Sequence, residues 1–399
     1  MIPCLSPNGE TTIRLDEAPT ELLIGTATGV VKLRRDGATS PWREEFLALE
    51  GNHVGALINA PGERLFAGCH QKGGIFRSID KGITWEQVGS GLTASDVFSL
   101  VVTAEETTTS IYAGLEPVNL YRSDDFGESW HELPAITMLP GGELWSFPPP
   151  PHLPHLKSMT VDPSHPNAFY GCVEQGALLK TIDGGATWVE LDSMWRSDDK
   201  AYRDAHRLLV TPWDPRTLFF ASGVGVYKSS DGGIVWRLCQ GLNDRNAYPD
   251  VLVASSSDRT IFVGGPVDVP GDWPGGDPTG TICRSNDDGA TWIALEVTAT
   301  RGANFEALSI VEYPEGYSLF AGDTTGHIYA SEDRGDSWSQ IAATGAISKG
   351  AHFRLAAMSE KLPKFIGKAV TYFFNQTTRV TMRRAAARRH AEFANRARR

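Results

Sequence analysis

The sequence predicts an all-β fold built from repeated four-stranded units, and three observations predict it. An eight-residue pattern, Ser/Thr-x-Asp-x-Gly-x-x-Trp, occurs six times: SIDKGITW at 78–85, SDDFGESW at 123–130, TIDGGATW at 181–188, SSDGGIVW at 229–236, SNDDGATW at 285–292 and SEDRGDSW at 331–338. The tryptophans of these copies stand 45, 58, 48, 56 and 46 residues apart, the length of one blade of a β-propeller. Between the copies lie short apolar runs with almost no helical period. Glycine supplies 41 of 399 residues without a three-residue repeat, as a turn-rich β protein requires.

Each copy describes a tight turn between two strands. The aspartate (Asp80, Asp125, Asp183, Asp231, Asp287 or Asp333) can accept hydrogen bonds from the amides of the turn. The glycine supplies a positive φ. The tryptophan opens the next strand and offers a broad face for packing between sheets.

Taken in chain order, every copy has the same surroundings. An apolar strand comes first (VGALI, VFSLVV, KSMTV, RLLV, VLVA, ALSIV). A second strand follows (RLFAG, SIYAG, AFYG, LFFAS, TIFVG, SLFAG), then a third (GIFRS, LYRS, LLKT, VYKS, ICRS, IYAS). The turn and a fourth strand such as TWEQV or TWVEL complete the unit. Lettered a to d, these strands make six blades. A seventh holds strands b, c and d within 21–49, with a degenerate turn, LRRDGATSPW, that keeps Asp36 and Trp42. Its inner strand is to come from ETTIRL at 10–15 or AHFRLAA at 351–357. The C-terminal segment is preferred, because joining both chain ends in one blade closes the ring and removes exposed edges. The expected architecture is a seven-bladed β-propeller over 21–358, after a leader at 1–20 and before a basic tail at 359–399 that is helical or disordered.

The net charge of −11 conceals an asymmetry. Residues 360–399 hold 11 Lys/Arg and 2 Asp/Glu, so the tail carries +9 and the remainder −20. The propeller is therefore not expected to bind nucleic acid, whereas the tail could touch an anionic surface. No apolar run reaches spanning length, and the N-terminus lacks the basic start and apolar core of a secretory signal. With five cysteines and no C-x-x-C pair, the expected location is cytoplasmic.

The repeated turn is the Asp-box, or BNR repeat, and the chain from about residue 20 to 358 resembles the Asp-box propellers. These include sialidases, xyloglucan-degrading enzymes, sortilin-type receptors and a photosystem II assembly factor. The resemblance implies the fold strongly and the function weakly, because in these families the Asp-box is a structural turn remote from the active site. It also argues against a classical sialidase. Those enzymes have six blades and an Arg-Ile-Pro motif, and the nearest match here is Ile13-Arg14-Leu15. The xyloglucan enzymes use a cleft between two propellers, and this chain has the length of one.

Site candidates are sought on the face opposite the Asp-boxes, where d–a and b–c loops are longest: 135–154, 192–204 and 265–280. Three tryptophans outside the repeat, Trp145, Trp195 and Trp273, fall in these loops and are candidates to stack on a sugar or anchor a partner. Near the starts of the a strands stand His53, Asp96, His155, Asp204, His206, Asp250, Glu306 and His352, with Glu174 in a b–c loop. This rim suits a small polar ligand or glycan. His155, His206 and His352 are the candidate ligands for a divalent metal, the one cofactor the rim suggests. The expected function is ligand or partner binding at this rim. The alternatives are a carbohydrate-active hydrolase or lyase, with Asp204, His206, Asp250 and Glu306 as catalytic candidates, and a protein-assembly scaffold. No nucleophile-elbow, P-loop or dinucleotide motif is present.

Overall fold

The computed structural model describes residues 1–94, 96–105, 108–147, 152–191, 203–242, 248–266 and 279–347. Seven sheets follow one another along the chain, six of four strands and one of five, and the ring is a seven-bladed β-propeller. Blades 2 to 7 begin with strands a at His53–Ala60, Asp96–Ala104, Leu156–Asp162, Ala205–Val210, Val251–Ala254 and Phe305–Tyr313. Each pairs antiparallel with its strand b. Every residue of His53–Ala60 is buried, because one face of this inner strand packs on blade 3, the other on blade 1, and its edge is covered by the leader.

The Asp-box turns form as the repeat requires. In SIDKGITW the Ser78 hydroxyl donates to Asp80 Oδ1 at 2.8 Å, and the Gly82 and Thr84 amides donate to Ser78 Oγ and Asp80 Oδ1 at 2.9 Å each. The residue before the glycine also takes a positive φ, as at Lys81 (63°) before Gly82 (83°), so two successive left-handed residues reverse the chain. Trp130 and Trp188 are buried; Trp188 sits beside Phe169 of its own blade and Tyr112 and Leu120 of the blade before. The tryptophans thus pin blade to blade. The degenerate turn differs: Asp36 takes a two-pronged contact from Arg43 at 2.7 Å, while Trp42 packs edge-on against Phe320 of blade 7.

The closure departs from the expected one. The inner position of blade 1 is filled by Cys4–Leu5, which pairs parallel with strand b, Glu21–Thr26. The leader therefore belongs to the propeller. ETTIRL does not serve blade 1 either: Thr12–Arg14 adds a fifth strand to blade 7, parallel to its strand a. Between these two pairings the chain turns inside the channel, with the Asn8 and Glu10 amides donating to the carbonyls of Gly55 and Leu57 in blade 2. Ile2, Leu5 and Ile13 are buried along this path, which gives the apolar leader residues their reason. The C-terminal end takes part as well. Ile347, the last described residue, forms an antiparallel bridge with Thr26, so the described segment that follows blade 7 returns to blade 1; segment 351–357 and the tail lie outside the described residues.

One irregularity recurs. Five a strands carry a β-bulge at the same place near the top of the ring. The extra residues, which face no partner in strand b, are Gly55, Phe98, Lys157, His206 and Glu306. A bulge breaks the two-residue alternation and re-aims one side chain. Here it points a residue of each blade toward the mouth of the channel. Gly55 is the exception that leaves room, since a Cβ there would meet His70 Nε2 at 2.1 Å.

Candidate functional site: a buried charged basin at the top of the channel

Blades 3 to 6 bring a set of charged and polar side chains together at the starts of their a strands. His155 and Lys157 come from blade 4, with Glu174 just beyond the end of its strand b. Asp204 and His206 come from blade 5, and Tyr248 and Asp250 from the approach to strand a of blade 6. Glu116 ends strand b of blade 3. All are buried, His155 and His206 completely. An antiparallel backbone bridge joins Glu174 to Asp204, and so fixes the two carboxylates side by side across the blade boundary. Gly223 makes space for Asp204, whose Oδ2 would lie 2.5 Å from a Cβ at that position.

The contacts form one network. His155 Nε2 lies 2.7 Å from Glu174 Oε2 and its Nδ1 3.2 Å from Glu116 Oε2, so both ring nitrogens face carboxylates. Lys157 Nζ bridges Glu174 Oε1 at 2.9 Å and Asp250 Oδ1 at 3.1 Å. The Tyr248 hydroxyl donates to Asp204 Oδ2 at 2.8 Å. His206 Nδ1 lies 2.6 Å from the Pro249 carbonyl, an acceptor, so this nitrogen carries a proton and Nε2 is turned to the basin. His206 Nε2 then stands 3.4 Å from Asp204 Oδ2. Neither His206 Nε2 nor Asp204 Oδ1 has a hydrogen-bond partner among the described residues.

Electrostatics follow from this packing. Burial works against a charged Lys157, but Asp250, Glu174 and Asp204 outweigh it and hold the ammonium well above the usual lysine range. Burial likewise favours a neutral Glu174, and Lys157 and His155 overcome it to hold the carboxyl far below its usual value. His155 is raised, burial being outweighed by Glu116 and Glu174. His53, farther round the ring, is pushed down to about 2 by burial and by the nearby His70. An aromatic row links it to the basin: His53 against His70 at 4.9 Å, His70 against Phe98 at 4.2 Å, and Phe98 stacked on His155 at 3.9 Å.

The rim expected from the sequence is thus gathered on one side of the mouth. His155, Glu174, Asp204, His206 and Asp250 converge. Asp96 instead accepts the Gln71 amide at 3.1 Å beside His70, and Glu306 takes a hydrogen bond from Asn304. Trp145 is buried in a cluster with Val173, Ala177 and Ile136, where it anchors its loop. Trp195, Trp273 and His352 lie outside the described residues. Lys157, Glu116 and Tyr248 were not singled out by sequence reasoning. Lys157 had a signal, since it holds the same repeat position as His206 and Glu306; Glu116 and Tyr248 had none.

Among the described residues, the side chains that could hold a metal are Glu174, Asp204 and His206, with one donor atom of each within 4.8 Å of the others. His155 has both nitrogens turned to carboxylates and serves to fix Glu174. At the other end of the channel, beyond the crossing leader, a cavity of about 500 Å³ lies among Glu10, Arg14, Asn59, Arg207 and Glu312. No helix among the described residues is long and apolar enough to cross a membrane.

Known proteins resemble this chain in repeat, sequence and fold. A family model described as the BNR-Asp box repeat matches residues 120–133. A xyloglucanase of Paenibacillus sp is 25% identical over 308 residues, covering 66% of this chain and 27% of its own length. A xyloglucanase of Acetivibrio thermocellus is 23% identical over 317 residues, covering 69% and 35%. The chain thus spans about a third or less of the length of these relatives. Among solved structures, an ancestral GH74 enzyme superposes with a TM-score of 0.56 at 14% identity, over 73% of this chain and 39% of its own. A structure titled YCF48 bound to D1 peptide superposes at 0.50 and 16% identity, over 86% and 90%. These structural likenesses show the fold.

Proposed function

We propose that this Asp-box propeller is a glycan-directed binding protein whose ligand enters the top of the channel and meets the basin of His155, Lys157, Glu174, Asp204, His206 and Asp250. The observation that supports this reading is the convergence of buried charged groups from four consecutive blades on one mouth. A propeller needs none of them for closure, and buried charge is costly unless it is paired or put to use. Carboxylates and an ammonium held at fixed positions suit the hydroxyls of a sugar, to which they accept and donate in turn. Glycan is the favoured class because the curated relatives are xyloglucanases.

Binding is favoured over hydrolysis at this pair of acids. Glu174 is held ionised by Lys157 and His155, whereas a glycosidase acid needs a raised pKa. Calorimetric titration with xyloglucan oligosaccharides tests the proposal. Binding is expected for the full chain, weakened at least about tenfold by Asp250→Asn, the equivalent of one lost hydrogen bond to a charged group. A screen of neutral glycans in which none binds would sink it.

A further inference from the structure

We infer that Glu174, Asp204 and His206 form a site for a single divalent transition-metal cation, Mn²⁺ or Zn²⁺, inside the basin. The inference deepens the reading of the basin as a ligand site and rests on it.

Three observations carry it. First, two buried atoms on neighbouring side chains have no hydrogen-bond partner among the described residues: Nε2 of His206, whose residue is fully buried, and Oδ1 of Asp204, whose residue is 3% exposed. Protein interiors rarely leave such atoms unmet. Second, the closest pair of donors has the spacing of a metal shell. At metal–ligand lengths of about 2.0–2.2 Å, neighbouring donors of a tetrahedral site lie about 3.3–3.6 Å apart. His206 Nε2 and Asp204 Oδ2 are 3.4 Å apart, and a Glu174 oxygen lies within 4.8 Å of its two fellow donors, a small side-chain adjustment from the shell.

Third, each donor is already held from behind, as metal ligands are. The Pro249 carbonyl fixes the His206 tautomer, Tyr248 orients Asp204, and His155 with Lys157 orients Glu174. One imidazole with two carboxylates lies between the sets preferred by zinc and by manganese. Three protein donors leave a position open, where a sugar hydroxyl can bind.

The test uses the full-length protein, stripped with a chelator and titrated with Mn²⁺ and Zn²⁺, with bound metal measured by mass spectrometry. One ion per chain is expected. His206→Ala and Asp204→Asn should each weaken uptake at least about tenfold. Glu312→Gln, whose residue pairs with Arg14 at the far end of the channel, should leave uptake unchanged. Since a variant at a buried site can fail to fold, the unaltered chain loaded with Mn²⁺ is also read by pulsed electron paramagnetic resonance. Coupling to one imidazole nitrogen is expected. Absence of stoichiometric uptake, absence of nitrogen coupling, or undiminished uptake by folded His206→Ala overturns the site. Oligosaccharide titrations on the same samples separate the two readings. Metal bound without glycan binding defeats only the glycan reading, and glycan binding without metal uptake defeats only the metal site.

Discussion

Asp287 shows what a single residue contributes in the repeated turn. Its carboxylate accepts the Thr291 hydroxyl at 2.6 Å, the Thr291 amide at 2.8 Å and the Ser285 hydroxyl at 2.9 Å. With the Thr291 hydroxyl as the largest cause, these bonds lower its pKa from 3.8 to about 2. Asp80, Asp125, Asp183 and Asp333 are lowered as well, their slight burial outweighed by the same hydroxyls and amides. Asp231 is lowered chiefly by the Val235 amide. A folded-state pKa below the unfolded one means that the unfolded chain binds protons first as the pH falls. The stabilisation is therefore complete above about pH 5 and is lost between about pH 4 and 2. Urea denaturation across this range should show the midpoint falling below pH 4, and Asp287→Asn should make the fall shallower. An unchanged slope in the variant would remove the turn aspartate from the acid response. This part of the protein was legible in the sequence, because serine, aspartate and glycine act on neighbours within five residues. The residue before the glycine was not legible: Lys81, Phe126, Asp288 and Arg334 share no chemistry, yet all take a positive φ.

At the scale of the element, the leader strand is the informative case. Its alternation is short and its apolar residues few, so sequence pattern alone offered ETTIRL only as the alternative inner strand of blade 1 and gave residues 1–9 no partner. The structure shows why it is ordered. Pairing is parallel on both sides, and the Glu10 carboxylate accepts the Asn59 side-chain amide at 2.7 Å inside the channel. Burial raises the Glu10 pKa to about 7, with the Asn59 hydrogen bonds acting in the opposite sense. Here the folded state holds its proton longer than the unfolded state does. Stability is therefore full below about pH 4.5 and declines as the pH rises through 7. Glu10 is only half-buried, so the loss is about 1–2 kcal/mol after allowance for solvent screening. Glu10→Gln should be nearly neutral at pH 5 and stabilising at pH 8 in denaturant melts; equal effects at both values would refute the assignment. The bulges are the other lesson at this scale. Periodicity places a strand but not an inserted residue, and the insertion is what turns Lys157 and His206 toward the basin.

For the whole molecule, closure of the ring is the cooperative event. Ile2, Leu5 and Ile13 bury their side chains only when blades 1, 2 and 7 are assembled. Together they supply about 4–9 kcal/mol as an upper estimate, comparable with the net stability of an ordinary domain, about 5–15 kcal/mol. The full chain should melt in one cooperative transition by calorimetry, and deleting residues 1–15 should abolish that transition, not merely lower its midpoint. A truncated chain that melts as the full one does would show that the ring closes through Ile347 and Thr26 alone. The sequence by itself determined the blade count, the turn chemistry and five of the side chains that converge at the top of the channel. These follow from local hydrogen bonding and from a repeat that can be counted. The tertiary structure alone decided which end fills blade 1 and that the rim gathers on blades 3 to 6. It also decided that His206, Asp204 and Glu174 meet. Contacts between residues tens of positions apart depend on blade twist, on the bulges and on a parallel leader strand, and no spacing along the chain encodes those distances.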